Sequence, residues 1–271
     1  MIHLFALLSL LLCGVCYTGF QNSSHFRNTG SRRSLLLLVF GGALLLRLLL
    51  AYTTHGFSND IACFAAWADR IFTLGPGQFY SADMFTDYPP GFMYVLYLIG
   101  ALRSLLQIPY YSDLHILLLK LPAILCDIAC GFLLYREAVK RLHFSDLQGI
   151  FAASAYLFQP AVILNSSCWG QVDSVYTLMI ILMCLFLMKG NLLPAYAVYG
   201  LGVLLKPQML IFTPVLLAGI WDHVFLQDFS WRKFFYNLCG GLVVICGMLL
   251  LCAPFGLTAA ISQYTSTLGS Y

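Results

Sequence analysis

Four short polar motifs interrupt an otherwise apolar chain, and they hold most of the side chains able to do chemistry. The first, His55 through Asp60, ends in a carboxylate a few residues beyond a long apolar run. Partial desolvation at such a rim tunes a carboxylate toward general-base work. A plainer role also fits: Asn59 or Asp60 opens the helix-patterned stretch IACFAAWADRIF, and such residues commonly cap helix starts. The second motif, DYPPG at 87–91, has two prolines that remove backbone donors and keep the chain extended, so Asp87 is held in a stiff turn. By itself that motif reads as a turn leading the chain into a membrane. The third, SSCWGQVDS at 166–174, puts Gln171 and Asp173 where a helix begins. Asp173 alone would cap that helix, yet Asn165, Gln171 and Asp173 together exceed what one cap requires. The fourth, Lys206-Pro207-Gln208, sets a lysine beside a proline break. A cation there suits a phosphate; the competing reading is a lysine that snorkels to the interface.

Charges also lie inside apolar runs. Lys120 and Asp127 are two helical turns apart and share a helix face, so they either bridge to other helices or line a cavity, with a structural ion pair as the competing account. Arg47, in LLLRLLLAY, sits near the end of its run, where it either snorkels or meets a lipid phosphate. The ten cysteines lie mostly in apolar runs, which reads as small buried hydrophobes. Asp60, Asp87 and Asp173 would bind a divalent metal ion only if they converge, and no other cofactor is indicated.

The elements that must position these groups are transmembrane helices. Of 271 residues 61% are hydrophobic and 9% charged, more apolar surface than a water-soluble fold can hide. Apolar runs near 20 residues match a hydrocarbon core of about 30 Å, and lipid leaves the backbone no partner outside a helix. The expected fold is all-α and polytopic, with about eight transmembrane helices from runs at 4–20, 34–52, 115–135, 147–164, 174–188, 192–205, 209–221 and 235–253. Basic residues fall in twos and threes at segment ends, which excludes a nucleic-acid surface and reads as topology signal. Arg27, Arg32 and Arg33, then Arg136, Lys140 and Arg141, belong inside, while the stretch 53–91 carries Asp60, Asp69, Asp83 and Asp87 against Arg70 alone and belongs outside. Only one of the runs 92–106 and 115–135 then crosses. The shorter, opening after Pro89-Pro90, becomes a juxtamembrane helix of a large outer loop. Residues 165–173 and 206–208 follow on the acidic side, and Lys189, Arg232 and Lys233 inside. Neither glycosylation pattern, at Asn22 or Asn165, is expected to be used: the first falls inside and the second too near the bilayer.

Taken in order, Asp60, DYPPG, WGQVDS and KPQ resemble the polytopic glycosyltransferases of the GT-C superfamily, above all those like the second mannosyltransferase of GPI-anchor synthesis and its bacterial relatives. The resemblance divides the chain into an extra hydrophobic segment with a basic linker, 1–33, and a GT-C-like transmembrane domain, 34–271, compatible with the amino-terminal part of a longer protein. It implies an inverting enzyme that moves a sugar, mannose first, from a polyprenyl- or dolichyl-phosphate donor to a hydroxyl of a glycan, glycolipid or other acceptor. The membrane would be that of the endoplasmic reticulum in a eukaryote and the plasma membrane in a bacterium. Asp60 would be the catalytic base, with Asp87, Gln171 and Asp173 as secondary or acceptor-binding groups. Lys206, Arg70 and Arg47 would hold the donor phosphate. A phosphate leaves without a proton, so one base and one cation suffice where a glycosidase needs two carboxylates. Two other readings stand beside this one: a polytopic transporter, and a membrane subunit without catalysis of its own.

Overall fold

The computed structural model describes residues 29–80, 85–227 and 229–269, together with Gly14. The hydrophobic run expected at 4–20, most of segment 1–33, the pattern at Asn22 and the carboxylate Asp83 lie outside the described residues. Among the described residues there are eleven α-helices and no strand. They are α1 Thr29–Thr53, α2 Ser58–Leu74, α3 Pro90–Leu105, α4 Asp113–Lys140, α5 Asp146–Leu157, α6 Pro160–Ile163, α7 Asp173–Met188, α8 Leu192–Leu205, α9 Thr213–Trp221, α10 Trp231–Cys252 and α11 Leu257–Gly269. The all-α polytopic expectation holds.

Among the described residues four helical segments are long and apolar enough to span: Arg32–Thr53, Asp113–Lys140, Pro207–Leu226 and Trp231–Phe255, with Asp146–Leu157 and Pro160–Trp169 as a fifth if that bent pair counts as one. At 1.5 Å per residue, α7 and α8 are only about 24 and 21 Å long, short of a core of about 30 Å. Their ends are set by local breaks: Gly190 at positive φ closes α7, and Pro207 closes α8. The 16-residue α3 is the short helix that the charge argument demanded. The run at 147–164 is no straight span either. Pro160 has no N–H to give and forces Gln159 extended, so the helix bends by 52° between α5 and α6. After α6 the chain widens into a π-helical turn, Leu164–Trp169, which Gly170 ends in the left-handed region.

The chain divides into two compact units, Met1–Ile61 with Tyr111–Val175, and Ala62–Tyr110 with Tyr176–Tyr271. In the first, α1 packs on α4 and α5, and α4 lies along α5. Ala43 and Ala153 meet Leu157 there, small residues that let the helices approach closely. One end of this unit is marked by Arg32 on Asp146 (3.1 Å) and Tyr135 on Asp146 (3.4 Å), which brings the start of α1, the last turns of α4 and the start of α5 together. The segments 54–61 and 165–171 meet at the other end. In the second unit, α8 packs between α3 and α10 around a core that includes Met183, Tyr196, Met209 and Leu216. Gly91 makes the α3 contact possible, because a Cβ there would stand 2.6 Å from the Leu204 carbonyl oxygen. Tyr88 of the DYPPG turn is buried against Phe64, Trp67 and Phe92.

Candidate functional site

The first unit brings two of the sequence motifs into one polar end. The backbone N–H of Phe57 donates to the Trp169 carbonyl at 2.8 Å, and the two rings stand 5.4 Å apart. Gly170, at φ 87°, turns the chain so that its own N–H and that of Gln171 both reach the Asn165 carbonyl at 3.0 Å. A Cβ on Gly170 would strike Ile61 at 2.6 Å, so only glycine lets the turn lie this close. Asp60 occupies the first turn of α2, where the helix dipole favours a carboxylate. Its Oδ2 accepts from Trp169 Nε1 at 3.2 Å and from Gln171 Nε2 in a short hydrogen bond. Asp173, in the first turn of α7, accepts from the Asn165 side-chain amide at 3.0 Å. Asp60 and Gln171 therefore meet, latching the 165–173 turn onto the start of α2, while Asp173 ties that turn to itself through Asn165.

Beneath that turn, Lys120 closes the end of α1. The last carbonyls of any helix lack intrahelical partners. Here the Lys120 ammonium donates to the Ala51 carbonyl (3.2 Å), the Thr54 carbonyl (2.6 Å) and the Thr54 hydroxyl (3.1 Å). Two turns further along α4, Asp127 accepts from Arg47 Nε (3.1 Å), Ser166 Oγ (2.6 Å), Ser174 Oγ (2.5 Å) and Tyr156 OH (3.3 Å). Arg47 also donates to the Leu157 carbonyl at 2.7 Å, at the α5–α6 break that Pro160 creates. Both members of this ion pair are 0% exposed. Arg47 is thus corrected from a lipid-phosphate ligand to a buried strut. Lys120 and Asp127 do bridge to other helices, each to its own partner.

In the second unit, Lys206 follows the last residue of α8 and is buried, with its ammonium 5.7 Å from the ring centroids of Tyr88 and Tyr176. Aromatic faces attract a cation in this geometry, so the lysine does not snorkel outward. Arg70 holds the turn after α2 through the Phe79 carbonyl (3.0 Å) and the Gln78 carbonyl (3.2 Å), which is a structural use of a group assigned to a phosphate. Asp87 is half-buried in the stiff turn beside Tyr88. The Tyr88 carbonyl accepts from Tyr80 OH at 3.0 Å. Burial, and less so Cys252, pushes the Tyr80 phenol well above its usual range, so it stays a neutral donor. Arg103 pairs with Asp69 and lies 5.7 Å from the Tyr110 ring centroid.

Among the described residues no three His, Cys, Asp or Glu side chains gather as metal ligands would. Sequence reasoning missed Thr54, Tyr156, Ser166 and Ser174, each of which completes a buried polar contact. The available signal was their chemistry: hydroxyls at the ends of apolar runs that also hold Arg47, Lys120 and Asp127.

Against this geometry the comparisons are direct. The family model described as GPI transamidase subunit PIG-U matches residues 34–271. No curated protein matches the chain. The match overturns the expected sugar transfer from a polyprenyl- or dolichyl-phosphate donor, because the family is a subunit of the enzyme that attaches proteins to GPI anchors. What stands of the GT-C resemblance is its coarser part, a membrane protein of the GPI pathway. With 34–271 covered, the chain belongs to the family of GPI transamidase subunit PIG-U.

Proposed function

We propose that this chain is a structural subunit of the GPI transamidase in the endoplasmic reticulum membrane, one that organises the assembly and leaves the exchange of bonds to another subunit. The observation that carries this reading is the use its charges are put to. Asp60 latches a turn, Lys120 caps a helix, and Arg47 with Asp127 braces a bent span. Transamidation needs an activated nucleophile, a base within reach of it and donors aimed at the developing oxyanion. In a multi-subunit enzyme those groups need not sit on the chain that spans the membrane. The GPI acceptor is itself a membrane lipid, which gives a membrane-embedded subunit a natural place beside it. The motif order shared with GT-C proteins then marks a common scaffold, whose polar turns here serve as joints.

The test uses cells lacking the corresponding subunit, supplied with the tagged full chain. The parent chain is expected to co-purify with the remaining transamidase subunits and to restore surface display of a GPI-anchored reporter. Asp60→Asn keeps an oxygen acceptor for Gln171 and Trp169, so display should stay within about twofold of the parent. Normal assembly of Asp60→Asn with display abolished would give Asp60 a chemical role and sink the structural reading, as would failure of the parent chain to co-purify.

A further inference from the structure

Two cavities in the second unit share a wall. One, of about 400 Å³, lies among α8, α9 and α10 and is lined almost wholly by apolar side chains such as Leu216, Ile220, Leu242, Ile245 and Met248. The other, of about 620 Å³, sits at the start of α10 and is lined by Arg232, Lys233, His223, Ser230 and Asn191, with no acidic residue among the described residues that line it. Asn237 lines both cavities. Its amide nitrogen donates to the Lys233 carbonyl at 2.8 Å and its oxygen accepts from Tyr196 OH at 3.4 Å, which pins it at the junction.

We propose that the pair forms a binding site for one anionic phospholipid, with the phosphate-bearing headgroup in the basic cavity and an acyl chain in the apolar one. The order of polarity along α10 is that of a leaflet. Arg232 and Lys233 come first, the exposed aromatics Trp231 and Tyr236 lie at the level where interfacial residues collect, and the apolar cavity follows. From Asn237 to Met248 the helix rises about 16 Å, close to the roughly 15 Å that one leaflet contributes to a hydrocarbon core. Lys189, Arg232 and Lys233 place this end in the cytosolic leaflet by the positive-inside rule. The proposal goes beyond the transamidase reading and does not depend on it.

The experiment photolabels membranes containing the full chain with phosphatidylserine, phosphatidylinositol or phosphatidylcholine carrying a diazirine on the acyl chain, and maps adducts by mass spectrometry. Adducts are expected on the α10 face around Leu242 and Ile245 with the two anionic probes and only weakly with phosphatidylcholine. Gly241→Leu should suppress them, because a Cβ at Gly241 meets nothing within 4 Å and the longer side chain would fill the cavity. Leucine is also the better helix former, so the fold should persist. Replacing both Arg232 and Lys233 by Gln should lower labelling by about thirtyfold. Should Gly241→Leu fail to purify, the charge-removal variant decides alone. Equal labelling by phosphatidylcholine, labelling untouched by both variants, a cross-link to another polypeptide in place of the lipid, or loss of the adduct in excess inorganic phosphate would each overturn the proposal.

Discussion

Replacing Arg47 by Met while Asp127 stays in place tests the buried core of the first unit. The substitution removes a guanidinium that is 0% exposed and bonded to Asp127 (3.1 Å) and to the Leu157 carbonyl (2.7 Å). Asp127 keeps three hydroxyl donors, yet its charge loses the only guanidinium it bonds among the described contacts. Breaking a buried pair by removing one partner costs about 3–5 kcal/mol, a factor of roughly 150 to 4,000 in the ratio of folded to unfolded chain. Replacing both partners, Arg47→Met with Asp127→Leu, removes the stranded charge. What remains unmatched is the Leu157 carbonyl together with the Ser174 and Tyr156 hydroxyls that Asp127 accepted from, each worth about 1–3 kcal/mol where it stays buried, whereas Ser166 retains the Val162 carbonyl at 3.1 Å. The double variant should therefore cost less than the two single substitutions summed. Unfolding of the full chain by SDS titration in mixed micelles, followed by tryptophan fluorescence, measures both. A single variant within about 0.5 kcal/mol of the parent, or a double variant as costly as the two singles summed, would refute the assignment of this pair as a strut.

Two further outcomes follow from close contacts. Gly91→Ala should cost about 1–3 kcal/mol and lower the thermal midpoint by about 2–10 °C, because the new methyl meets the Leu204 backbone at 2.6 Å; Gly241→Ala, pointing into open space, should not lower it. Lys120→Met leaves the Ala51 and Thr54 carbonyls without their ammonium donor, so the end of α1 should fray and expose the half-buried thiol of Cys168. Its maleimide labelling should rise by about 5- to 150-fold from a local loss of about 1–3 kcal/mol, and unchanged labelling would refute the capping role.

The fold was legible where a rule acts along the chain. Apolar runs of about 20 residues found α1, α4 and α10, and the run 92–106, set apart by the positive-inside parity argument, is the 16-residue α3. Apolar content also found α7 and α8, whose ends Gly190 and Pro207 set. It passed over the bend at Pro160, although the proline itself was the signal. The motif resemblance caught the pathway but not the activity, because the same polar turns can hold a substrate or hold the protein together.

By itself the sequence determined an all-helical membrane protein, the helices that could cross, and a short set of polar residues too costly to bury without partners. Only the tertiary structure decided what those residues do. Arg47 and Asp127 are 80 positions apart, Asp60 and Gln171 are 111, and nothing in local spacing says that either pair will meet. Helical periodicity places a side chain on a face, whereas its partner is chosen by how the faces pack, and in a dry interior that choice makes a charge a brace instead of a catalyst.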